Sequence, residues 1–478
     1  MRNWSLRVAG NERENFDLIV IGGGPGGYVA AIRASQLGMS VACVEAEKLG
    51  GVCLNIGCIP TKSLLTSALM VKEVREAGKH GIATGKISVD LGRAQERSRK
   101  VSDQMNRGVE FLFKKNGVTH FQGFGRLAGK GTVEVESVDG GRTGYEAPHI
   151  IVSTGSRPDS LPFLEIDGRS IWSSDEALFV KTAPKTLAVI GAGAVGVEFA
   201  DIFEAYGSQV TVLEALDWVL PGEDEEVSAY LRKSFEKRGI TVHTGARLKS
   251  ALHGRDGITL TFKDSGGDTQ TLTVEKVLSA VGRVPNTGDL GLETERVKLT
   301  ERGSFIEADQ WMRTNVEGVY ALGDCAGGAL LAHKAMHEGV ACVERIAGKA
   351  HRPVDYGNIP NCTYCHPEVA SVGLTETQAR RAGYEVDVGK FPWVGNGRAV
   401  TYGDVDGFIK IVRDRKCSEI LGAHIIGPHA TELIAEFVLG RHLKSTVEEM
   451  EKAMHPHPTL SEAIGEAALA ALGHPIHM

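Results

Sequence analysis

The same strand–glycine turn–helix–strand pattern occurs twice in the chain with matched spacing. In the first copy, an apolar run over residues 16–21 leads into Gly22-Gly23-Gly24-Pro25-Gly26-Gly27, and a second apolar run ends at Glu45. In the second copy, residues 187–190 lead into Gly191-Ala192-Gly193-Ala194-Val195-Gly196, and the second run ends at Glu214. Each acid follows the first glycine of its copy by 23 positions, so the two copies match residue for residue.

This pattern is typical of dinucleotide-binding units. The glycines permit a tight turn, close approach of a pyrophosphate and packing of helix on strand. The helix N-terminus attracts phosphates, and the acid accepts hydrogen bonds from a ribose. Two glycine turns that bind nothing are the alternative, but two full matches at one spacing favour two dinucleotide sites. Because Glu214 would repel a 2′-phosphate and residues 215–217 contain no arginine, the second site is expected to prefer NAD(H) to NADP(H).

Between these copies, residues 50–62 read Gly-Gly-Val-Cys-Leu-Asn-Ile-Gly-Cys-Ile-Pro-Thr-Lys. In a straight helix the Cα atoms of Cys53 and Cys58 would lie about 8.6 Å apart, whereas a disulfide requires roughly 7 Å or less. A disulfide would therefore need a break in the helix, which Gly57 permits. Pro60 suits the first turn of a helix over 62–77, and Cys58 at its start would be stabilised as a thiolate. For this stretch alone, two buried thiols in a glycine-rich loop are the favoured interpretation.

The composition limits the classes of protein to which the chain can belong. The 478 residues are too many for one core and predict three or four domains, with 42% hydrophobic and 24% charged residues, as in ordinary globular proteins. A net charge of −7 argues against nucleic-acid binding. Eight cysteines are too sparse for a disulfide scaffold, which favours the cytoplasm. No apolar run is expected to span a membrane. Residues 1–15 are not expected to be a secretory signal, their acids argue against a transit peptide, and a loose N-terminal arm is expected.

Three further strands are predicted, of which the first two end in a glycine turn that marks an exit from a domain. Residues 150–158 and 277–286 each form an apolar strand that ends in a glycine turn, and residues 319–324 end in Gly-Asp. An aspartate after a strand faces the ligand crevice of an α/β sheet, although it can also cap the next helix, here 331–347. From about residue 350 the glycine fingerprint is absent, and strands with hairpin signals precede helices. This part is predicted to be an α+β domain for a partner or a dimer interface.

Residues 455–462 read His-Pro-His-Pro-Thr-Leu-Ser-Glu. Thiol chemistry needs a base with a pKa near neutrality, which is a property of histidine, and Glu462 could orient His457 from the start of a helix. A cis bond at Pro458 would aim the His457 ring. Taken alone, such a stretch is more often a surface turn. A metal site on His455 and His457 is weaker, because no cysteine pair or carboxylate stands at ligand spacing.

Together these motifs resemble the flavin-dependent pyridine nucleotide–disulfide oxidoreductases. The resemblance covers nearly the whole chain after residue 15 and includes Gly-Asp-Cys-Ala-Gly at 323–327 and Ala-His-Lys-Ala at 332–335. It implies an α/β fold with two Rossmann-like dinucleotide-binding domains, a central domain and an α+β C-terminal dimerisation domain. The expected boundaries are 1–15 for the arm, 16–155 for FAD, 156–281 for NAD, 282–350 for the central domain that completes the FAD site, and 351–478 for the interface.

The resemblance also implies roles for individual residues. Cys53 and Cys58 would form the redox-active disulfide, with Cys53 attacking the substrate and Cys58 facing the flavin in a charge-transfer contact. His457, held by Glu462, would be the base and would reach the disulfide of the other subunit of a homodimer. Lys62 would lie beside the flavin ring and pair with Glu198 near the nicotinamide, and Asp324 would bind the ribityl chain. The remaining cofactor-binding residues are expected to be Gly22, Gly24, Gly27, Glu45, Thr154, Gly155, Ala332 and His333 for FAD, and Gly191, Gly193, Gly196, Glu214 and Gly282 for NAD.

Within the family, the motifs are most similar to those of members that oxidise protein-bound dihydrolipoamide with NAD⁺. This implies lipoyl domains of a 2-oxo acid dehydrogenase or glycine cleavage complex as partners. The alternative enzyme is an NADPH-dependent disulfide reductase of the glutathione reductase type, which Glu214 opposes. A non-catalytic scaffold subunit is opposed by the presence of Cys53, Cys58, His457 and Glu462 together.

The other cysteines are expected to have structural roles. Cys362 and Cys365 form a closer pair, but in an extended strand they would point to opposite faces, and zinc would need more ligands. The remaining four are expected to be packing residues: Cys43, Cys325, Cys342 and Cys417. Val52 and Thr61 replace the Thr and Ser of many family members, and both changes are conservative in size.

Overall fold

The structure, a computed structural model, describes residues 15–301, 304–349 and 352–477. The predicted N-terminal arm lies outside the described residues, except Asn15, which bridges to Glu146. In chain order the strands are β1 (Leu18–Ile21), β2 (Val41–Glu45), β3 (Thr119–Leu127), β4 (Thr132–Ser137), β5 (Arg142–Glu146), β6 (His149–Val152), β7 (Ser156–Pro158), β8 (Ile171–Trp172), β9 (Thr186–Ile190), β10 (Gln209–Leu213), β11 (Thr241–His243), β12 (Arg247–Gly254), β13 (Gly257–Lys263), β14 (Thr269–Val274), β15 (Lys276–Ser279), β16 (Arg283–Pro285), β17 (Val319–Ala321), β18 (Asn361–Thr363), β19 (Glu368–Gly373), β20 (Val386–Pro392), β21 (Phe408–Asp414) and β22 (Ile420–Gly427).

The α-helices, also in chain order, are α1 (Pro25–Gln36), α2 (Gly51–Asn55), α3 (Cys58–Glu76), α4 (Leu91–Asn116), α5 (Ser174–Ala177), α6 (Ala194–Ala205), α7 (Glu225–Lys237), α8 (Ala332–Ile346), α9 (Glu376–Arg381), α10 (Gly397–Tyr402), α11 (Ala430–His442), α12 (Val447–Lys452) and α13 (Glu462–Ala471). Short 3₁₀ helices cover Ala77–His80, Gly323–Ala326, Tyr356–Asn358 and Trp393–Gly395.

The chain forms two compact units, each built from three separate segments. The first unit contains the chain up to Ile59, Lys100–Arg157 and Arg283–Val354. The second contains Pro60–Arg99, Pro158–Gly282 and the chain from Asp355 onward. The finer division into four domains stays a prediction.

A seven-stranded sheet forms the centre of the first unit, in the order β17-β6-β1-β2-β3-β4-β5. The strands from β17 to β3 are parallel, and β3, β4 and β5 continue the sheet as an antiparallel meander. Every residue of β1 and β2 is buried, as expected for parallel strands with both faces covered. Helices α1 and α8 pack so closely that a Cβ on Gly339 would lie only 2.8 Å from the Gly26 carbonyl oxygen.

The second unit contains three sheets. One is parallel, in the order β11-β10-β9-β15-β8, and a three-stranded antiparallel sheet has the order β12-β13-β14. The third, β18-β19-β22-β21-β20, is C-terminal and packs against α11 and α13 around a core that includes Trp393, Phe437 and Ile425. The C-terminal sheet with its helices confirms the predicted α+β character of this part of the chain.

The sequence repeat is also a structural repeat. β1–α1–β2 and β9–α6–β10 have the same geometry at their glycine turns, with φ of 102° at Gly22 and 101° at Gly191. A Cβ on Gly27 or on Gly196 would lie 1.9 Å from the carbonyl oxygen of the first glycine of its own copy. These positions therefore admit no side chain, as the packing of helix on strand requires.

One segment departs from the expected absence of a membrane-length apolar run. Gly51–His80 is long and apolar enough to cross a membrane by length and composition, so that expectation is wrong for this segment. Within its most apolar window, 44% is buried inside the structure. The core helix of a soluble protein passes the same test, so a single segment of this kind is weak evidence for a span.

A partly buried histidine, His455, holds the segment that precedes α13. His455 Nε2 and Glu436 Oε1 on α11 are 2.8 Å apart, and the His455 side chain is 11% exposed. The hydrogen bond to Glu436 raises the pKa of His455 despite its partial burial. Only Pro456 separates His455 from His457, so the pair of His455 and Glu436 fixes the chain next to His457.

We expect Gly196→Ala to destabilise the protein by about 1–3 kcal/mol, because the new methyl group would overlap the Gly191 carbonyl. The matched control is Gly193→Ala in the same turn, where a Cβ meets no atom within 4 Å. Thermal unfolding should show a lower midpoint for the first variant and an almost unchanged one for the second. Equal midpoints for both variants would contradict the crowding at residue 196.

We expect Glu436→Gln to lower stability in a pH-dependent way. Because the pKa of His455 is raised in the folded protein, its stabilisation is complete below about pH 6.5 and is lost as the pH rises through the folded value. The difference in urea midpoint between wild type and variant should therefore be larger at pH 6 than at pH 9. Glu466→Gln is the control, since its partner His477 is 68% exposed. A difference that stays constant with pH would contradict the assignment.

Candidate active site

The first glycine turn is tied to the acid at the end of β2. The Gly23 N–H donates to Glu45 Oε2 at 2.7 Å, and the Glu47 N–H donates to Glu45 Oε1 at 2.8 Å. Burial raises the pKa of Glu45, and these backbone donors act in the opposite direction. Gly24 is the N-cap of α1 and supplies no capping side chain. The α1 N-terminus therefore keeps backbone donors for a phosphate.

The second turn repeats this arrangement. The Ala192 N–H donates to Glu214 Oε2 at 2.6 Å, and the Leu216 N–H donates to Glu214 Oε1 at 2.8 Å. Gly193 is the N-cap of α6, again without a capping side chain. By contrast, the N-caps of α7, α9 and α12 are filled by the side chains of Asp224, Thr375 and Thr446. The helices that follow the glycine turns thus have no capping side chain that competes with a phosphate for their N-terminal donors, a property that α8, α11 and α13 share.

The two cysteines lie on either side of a helix break. Cys53 is in α2, Cys58 begins α3, and Ile56 and Gly57 between them are non-helical. A Cβ on Gly57 would lie 2.8 Å from the Val52 carbonyl oxygen, so the sharp turn requires glycine. This confirms that the helix breaks between the cysteines and that Cys58 lies at a helix N-terminus. Both side chains are half-buried.

The cysteine segment also lies against the first glycine turn. Gly51, with φ of 55°, is placed so that a Cβ would be 2.8 Å from the Gly24 Cα. The Gly50 N–H donates to the Gly23 carbonyl at 2.8 Å. Asn55 Nδ2 donates to the Leu49 and Gly51 carbonyls at 3.0 and 2.9 Å. The backbone around Cys53 is therefore set by the same turn that forms the dinucleotide cradle.

The other cysteines are less suited to thiol chemistry. Cys43, Cys325 and Cys342 are buried, and burial raises the pKa of each thiol. They are packing residues, as predicted. Cys417 is exposed, so the expectation that it packs is wrong.

Cys362 and Cys365 do not share a strand. β18 ends at Thr363, so the premise that both lie in one extended strand is wrong. Cys365 is buried and donates to the Pro367 carbonyl at 3.3 Å. Burial, followed by the nearby Glu223, raises the pKa of Cys362 to about 12. Within 15–301, 304–349 and 352–477, no group of three or more His, Cys, Asp or Glu side chains could hold a metal ion.

Asp324 lies in a hydrogen-bonded chain within the first unit. Ser156 Oγ donates to Asp324 Oδ2 at 2.5 Å, and Arg283 Nε donates to Ser156 Oγ at 2.7 Å. Beside them, Thr154 Oγ1 donates to the Asn286 carbonyl at 2.6 Å. The two strand–glycine exits noted in the sequence therefore meet here and orient the aspartate.

Three other predicted cofactor residues occupy turns or helix starts. Ala332 and His333 are the first two residues of α8 in the first unit. Gly155, also in that unit, has φ of 72°, and its carbonyl accepts the Asn286 N–H at 3.0 Å. Gly282, in the second unit, has φ of 143°, and a Cβ there would meet no atom within 4 Å.

Lys62 and Glu198 form an ion pair in the second unit. Lys62 Nζ is 2.9 Å from both carboxylate oxygens of Glu198, whose side chain is 5% exposed. The Tyr364 N–H donates to Glu198 Oε1 at 3.0 Å, and Lys62 Nζ lies 4.7 Å from the centroid of the Tyr364 ring. The carboxylate is thus fixed on one side by the backbone and on the other by the lysine.

His457 and Glu462 are in contact, as the sequence predicts. His457 Nδ1 and Glu462 Oε1 are 2.8 Å apart, and the His457 side chain is 79% exposed. Partial burial works to raise the pKa of Glu462, but the Thr459 N–H and His457 lower it overall. The His457–Pro458 bond is cis. Glu462 therefore holds one ring nitrogen, and the other edge of the ring faces outward.

Several residues that sequence reasoning missed support these groups. Ser156 and Arg283 directly follow the glycines of the two strand exits, so the repeated exit pattern could have indicated them. Tyr364 has no such signal, because its contact with Glu198 joins residues 166 positions apart. The predicted residues divide between the units: Cys53, Cys58 and Asp324 belong to the first, whereas the second contains Lys62, Glu198, His457 and Glu462.

Comparisons with known proteins agree with this geometry. The family model described as pyridine nucleotide-disulphide oxidoreductase matches residues 16–339, and the dimerisation domain of the same family matches residues 359–468. A Rhizobium etli protein named dihydrolipoyl dehydrogenase is 45% identical over 96% of this chain and 98% of its own. The mitochondrial dihydrolipoyl dehydrogenase 1 of Arabidopsis thaliana is 43% identical over 99% of this chain and 94% of its own.

Similarity to solved structures extends over nearly the whole chain. The crystal structure of LpdA from Mycobacterium tuberculosis has a TM-score of 0.88 and 28% identity, covering 95% of this chain and 99% of that one. The predicted fold class, the use of FAD and NAD(H), and the homodimer are thereby confirmed. Two acid-bearing glycine turns, a cysteine pair beside the first of them and a matched dimerisation domain lead to one conclusion: the chain belongs to the pyridine nucleotide-disulphide oxidoreductase family.

Proposed function

We propose that this flavoenzyme oxidises dihydrolipoamide, carried on lipoyl domains, to lipoamide with NAD⁺ as the acceptor. The observation that carries the proposal is the packing of the cysteine segment on the first glycine turn, where Gly51 would meet the Gly24 Cα at 2.8 Å if it had a Cβ. A thiol pair in this position belongs to the same site as the dinucleotide bound by the turn. The full-length relatives named dihydrolipoyl dehydrogenase support this substrate.

The residues of the first unit fit FAD. A side chain at Gly22 or Gly27 would clash with neighbouring backbone, so the turn needs glycine at both positions. The α1 N-terminus has no capping side chain. Gly22, Gly24 and Gly27 would border the pyrophosphate and Glu45 the ribose. Asp324 would bind the ribityl chain, with Thr154, Gly155, Ala332 and His333 also lining the site. Bound FAD supplies a two-electron acceptor between thiols and nicotinamide.

The two cysteines would perform the thiol–disulfide exchange. One substrate sulfur attacks Cys53 of a Cys53–Cys58 disulfide, the S–S bond breaks, and Cys58 leaves as a thiolate. The second substrate thiol then attacks the mixed disulfide, forms lipoamide and releases Cys53. The start of α3 stabilises the Cys58 thiolate. The dithiol has then lost two electrons and two protons, and the electrons reside on the enzyme's reduced cysteine pair.

His457 would remove the protons from the substrate thiols. Its Nδ1 is held by Glu462, which leaves Nε2 to accept a proton and stabilises the imidazolium that results. The exposure of this ring suits a base that serves the partner subunit of the homodimer. Lys62 would lie beside the flavin ring, and Glu198, paired with it, would lie near the nicotinamide.

The second turn would bind NAD(H). Gly191, Gly193, Gly196 and Gly282 would border the nucleotide, and Glu214 would accept the adenosine ribose hydroxyls while repelling a 2′-phosphate. This opposes the glutathione reductase type of enzyme. We also propose the four-domain division at residues 156, 282 and 351, a cytoplasmic location, and lipoyl domains of a 2-oxo acid dehydrogenase or glycine cleavage complex as partners.

We expect His457→Gln to retain FAD and to lower turnover with dihydrolipoamide and NAD⁺ by about 10²–10⁴-fold, since the variant lacks the base. Turnover is followed by NADH absorbance, and FAD content by the visible spectrum. The control is His474→Gln, which changes an exposed histidine three residues after the end of α13 and should behave as wild type. Near-normal turnover by the His457 variant would contradict its assignment as the base.

The reaction itself is tested with the wild-type enzyme. Faster turnover of NADPH with glutathione disulfide than of NAD⁺ with dihydrolipoamide would contradict the proposed reaction.

We expect Glu214→Gln to lower the preference for NAD⁺ over NADP⁺ by at least about tenfold, because the charge that repels a 2′-phosphate is removed. The measurement is the ratio of kcat/KM for the two nucleotides. The matched variant is Glu45→Gln, the same residue of the first copy, which should alter FAD retention but leave that ratio unchanged. An unchanged ratio in the Glu214 variant would contradict its role.

A further inference from the structure

A buried ion pair on α8 is not used by the chemistry described above. Lys334 and Glu338 stand one helical turn apart, with Lys334 Nζ 3.2 Å from Glu338 Oε1. Their side chains are 1% and 5% exposed. Removing two charges from water costs free energy that their mutual attraction alone seldom offsets, so further hydrogen bonds are needed.

Those further hydrogen bonds go to the loop that contains Asp324. Lys334 Nζ donates to the Gly327 carbonyl at 2.6 Å and to the Gly323 carbonyl at 3.3 Å. The Gly323 N–H donates to Glu338 Oε2 at 2.8 Å. The pair is therefore hydrogen-bonded to backbone groups at both ends of the 3₁₀ turn Gly323–Ala326.

Two glycines give this loop conformational freedom. Gly323 and Gly327 both have positive φ, 74° and 80°. Glycine loses more conformational freedom on folding than any other residue, so external contacts must hold such a turn in one state. The aspartate between these glycines is the acceptor at the end of the Arg283–Ser156 chain.

Helix α8 also packs closely against the first glycine turn. A Cβ on Gly339 would lie 2.8 Å from the Gly26 carbonyl oxygen, and a Cβ on Gly26 would lie 3.2 Å from the Ala335 Cβ. Helix α8 therefore contacts the first glycine turn on one side and the Asp324 loop on the other. The Lys334–Glu338 pair is the link between the helix and the loop.

We propose that Lys334 and Glu338 are positioning residues that hold Asp324 in register with the first glycine turn and thereby set the affinity for FAD and the redox potential of the bound flavin. The inference rests on the proposed role of Asp324. The pair acts through the loop and does not touch the cofactor itself. Loss of either partner leaves the other charge buried and frees one end of the turn.

The experiment measures FAD binding to apo-protein by quenching of flavin fluorescence and the flavin midpoint potential of the reconstituted enzyme. Lys334→Met should raise the dissociation constant for FAD at least tenfold and shift the potential. Glu338→Gln, which preserves the shape of the side chain and one acceptor, keeps the fold and should change both quantities in the same direction by less. Unchanged affinity and potential in both variants would overturn the inference.

A double-mutant cycle with Asp324→Asn separates positioning from general stability. If Lys334 acts through Asp324, then Lys334→Met should weaken FAD binding less than twofold when Asp324→Asn is already present. Independent, multiplicative effects of the two changes would overturn the inference. Lys410→Met is the stability control, because Lys410 is a buried lysine paired with Asp224 in the second unit, and it should leave FAD affinity unchanged.

The cycle also distinguishes failure of this inference from failure of the proposed function. If Asp324→Asn alone does not change FAD binding, the assigned role of Asp324 is wrong, and the positioning role with it. If Asp324→Asn weakens FAD binding while the α8 variants do not, only the positioning role is wrong. In neither case is the assay of dihydrolipoamide oxidation needed for the decision.

Discussion

The hydrogen bond from a turn N–H to the carboxylate that ends the second strand organises each half of the repeat. Gly23 donates to Glu45, and Ala192 donates to Glu214, in both cases across 22 residues of chain. The bond is possible because the first glycine of each copy passes so close to the neighbouring strand that no side chain fits there. It closes the turn, and in the proposed dinucleotide sites it would leave the helix N-terminus beside the pyrophosphate and the carboxylate beside the ribose. The cysteine segment then packs on the first of these turns, so the placement of Cys53 follows from the same constraint.

Burial sorts the titratable groups of the chain into different tasks. The thiols of Cys43, Cys325 and Cys342 are fully buried, which raises their pKa and favours the unreactive thiol form. Cys53 and Cys58 are only half-buried, and Cys58 lies at a helix start. Buried ion pairs such as Lys334–Glu338 serve instead to hold backbone in place. The chemistry is thus assigned to groups that solvent or substrate can reach.

Much of the fold and of the site could be predicted because the signals are local in the chain. The spacing of 23 positions, the glycines and the final acids follow from the geometry of one strand–helix–strand unit, and this geometry recurs in the structure at β1–α1–β2 and β9–α6–β10. The break between Cys53 and Cys58 and the pairing of His457 with Glu462 are also short-range features. The wrong predictions concern the burial of Cys417, the strand assumed for Cys362 and Cys365, and the apolar length of Gly51–His80. Cys417 lies in the exposed turn between β21 and β22, and β18 ends at Thr363, before Cys365.

The sequence by itself determined the two glycine turns, the carboxylate that ends the second strand of each copy, and the family to which the chain belongs. These depend on backbone conformations that only particular residues adopt at particular spacings. The tertiary structure alone decided which groups hold these parts in place. The Tyr364 backbone N–H donates to Glu198, Arg283 and Ser156 orient Asp324, and Lys334 donates to the Asp324 loop. Most of these contacts join residues far apart in the chain. They exist because burying a charge or a backbone donor requires a partner, and only the folded chain decides which partner is within reach.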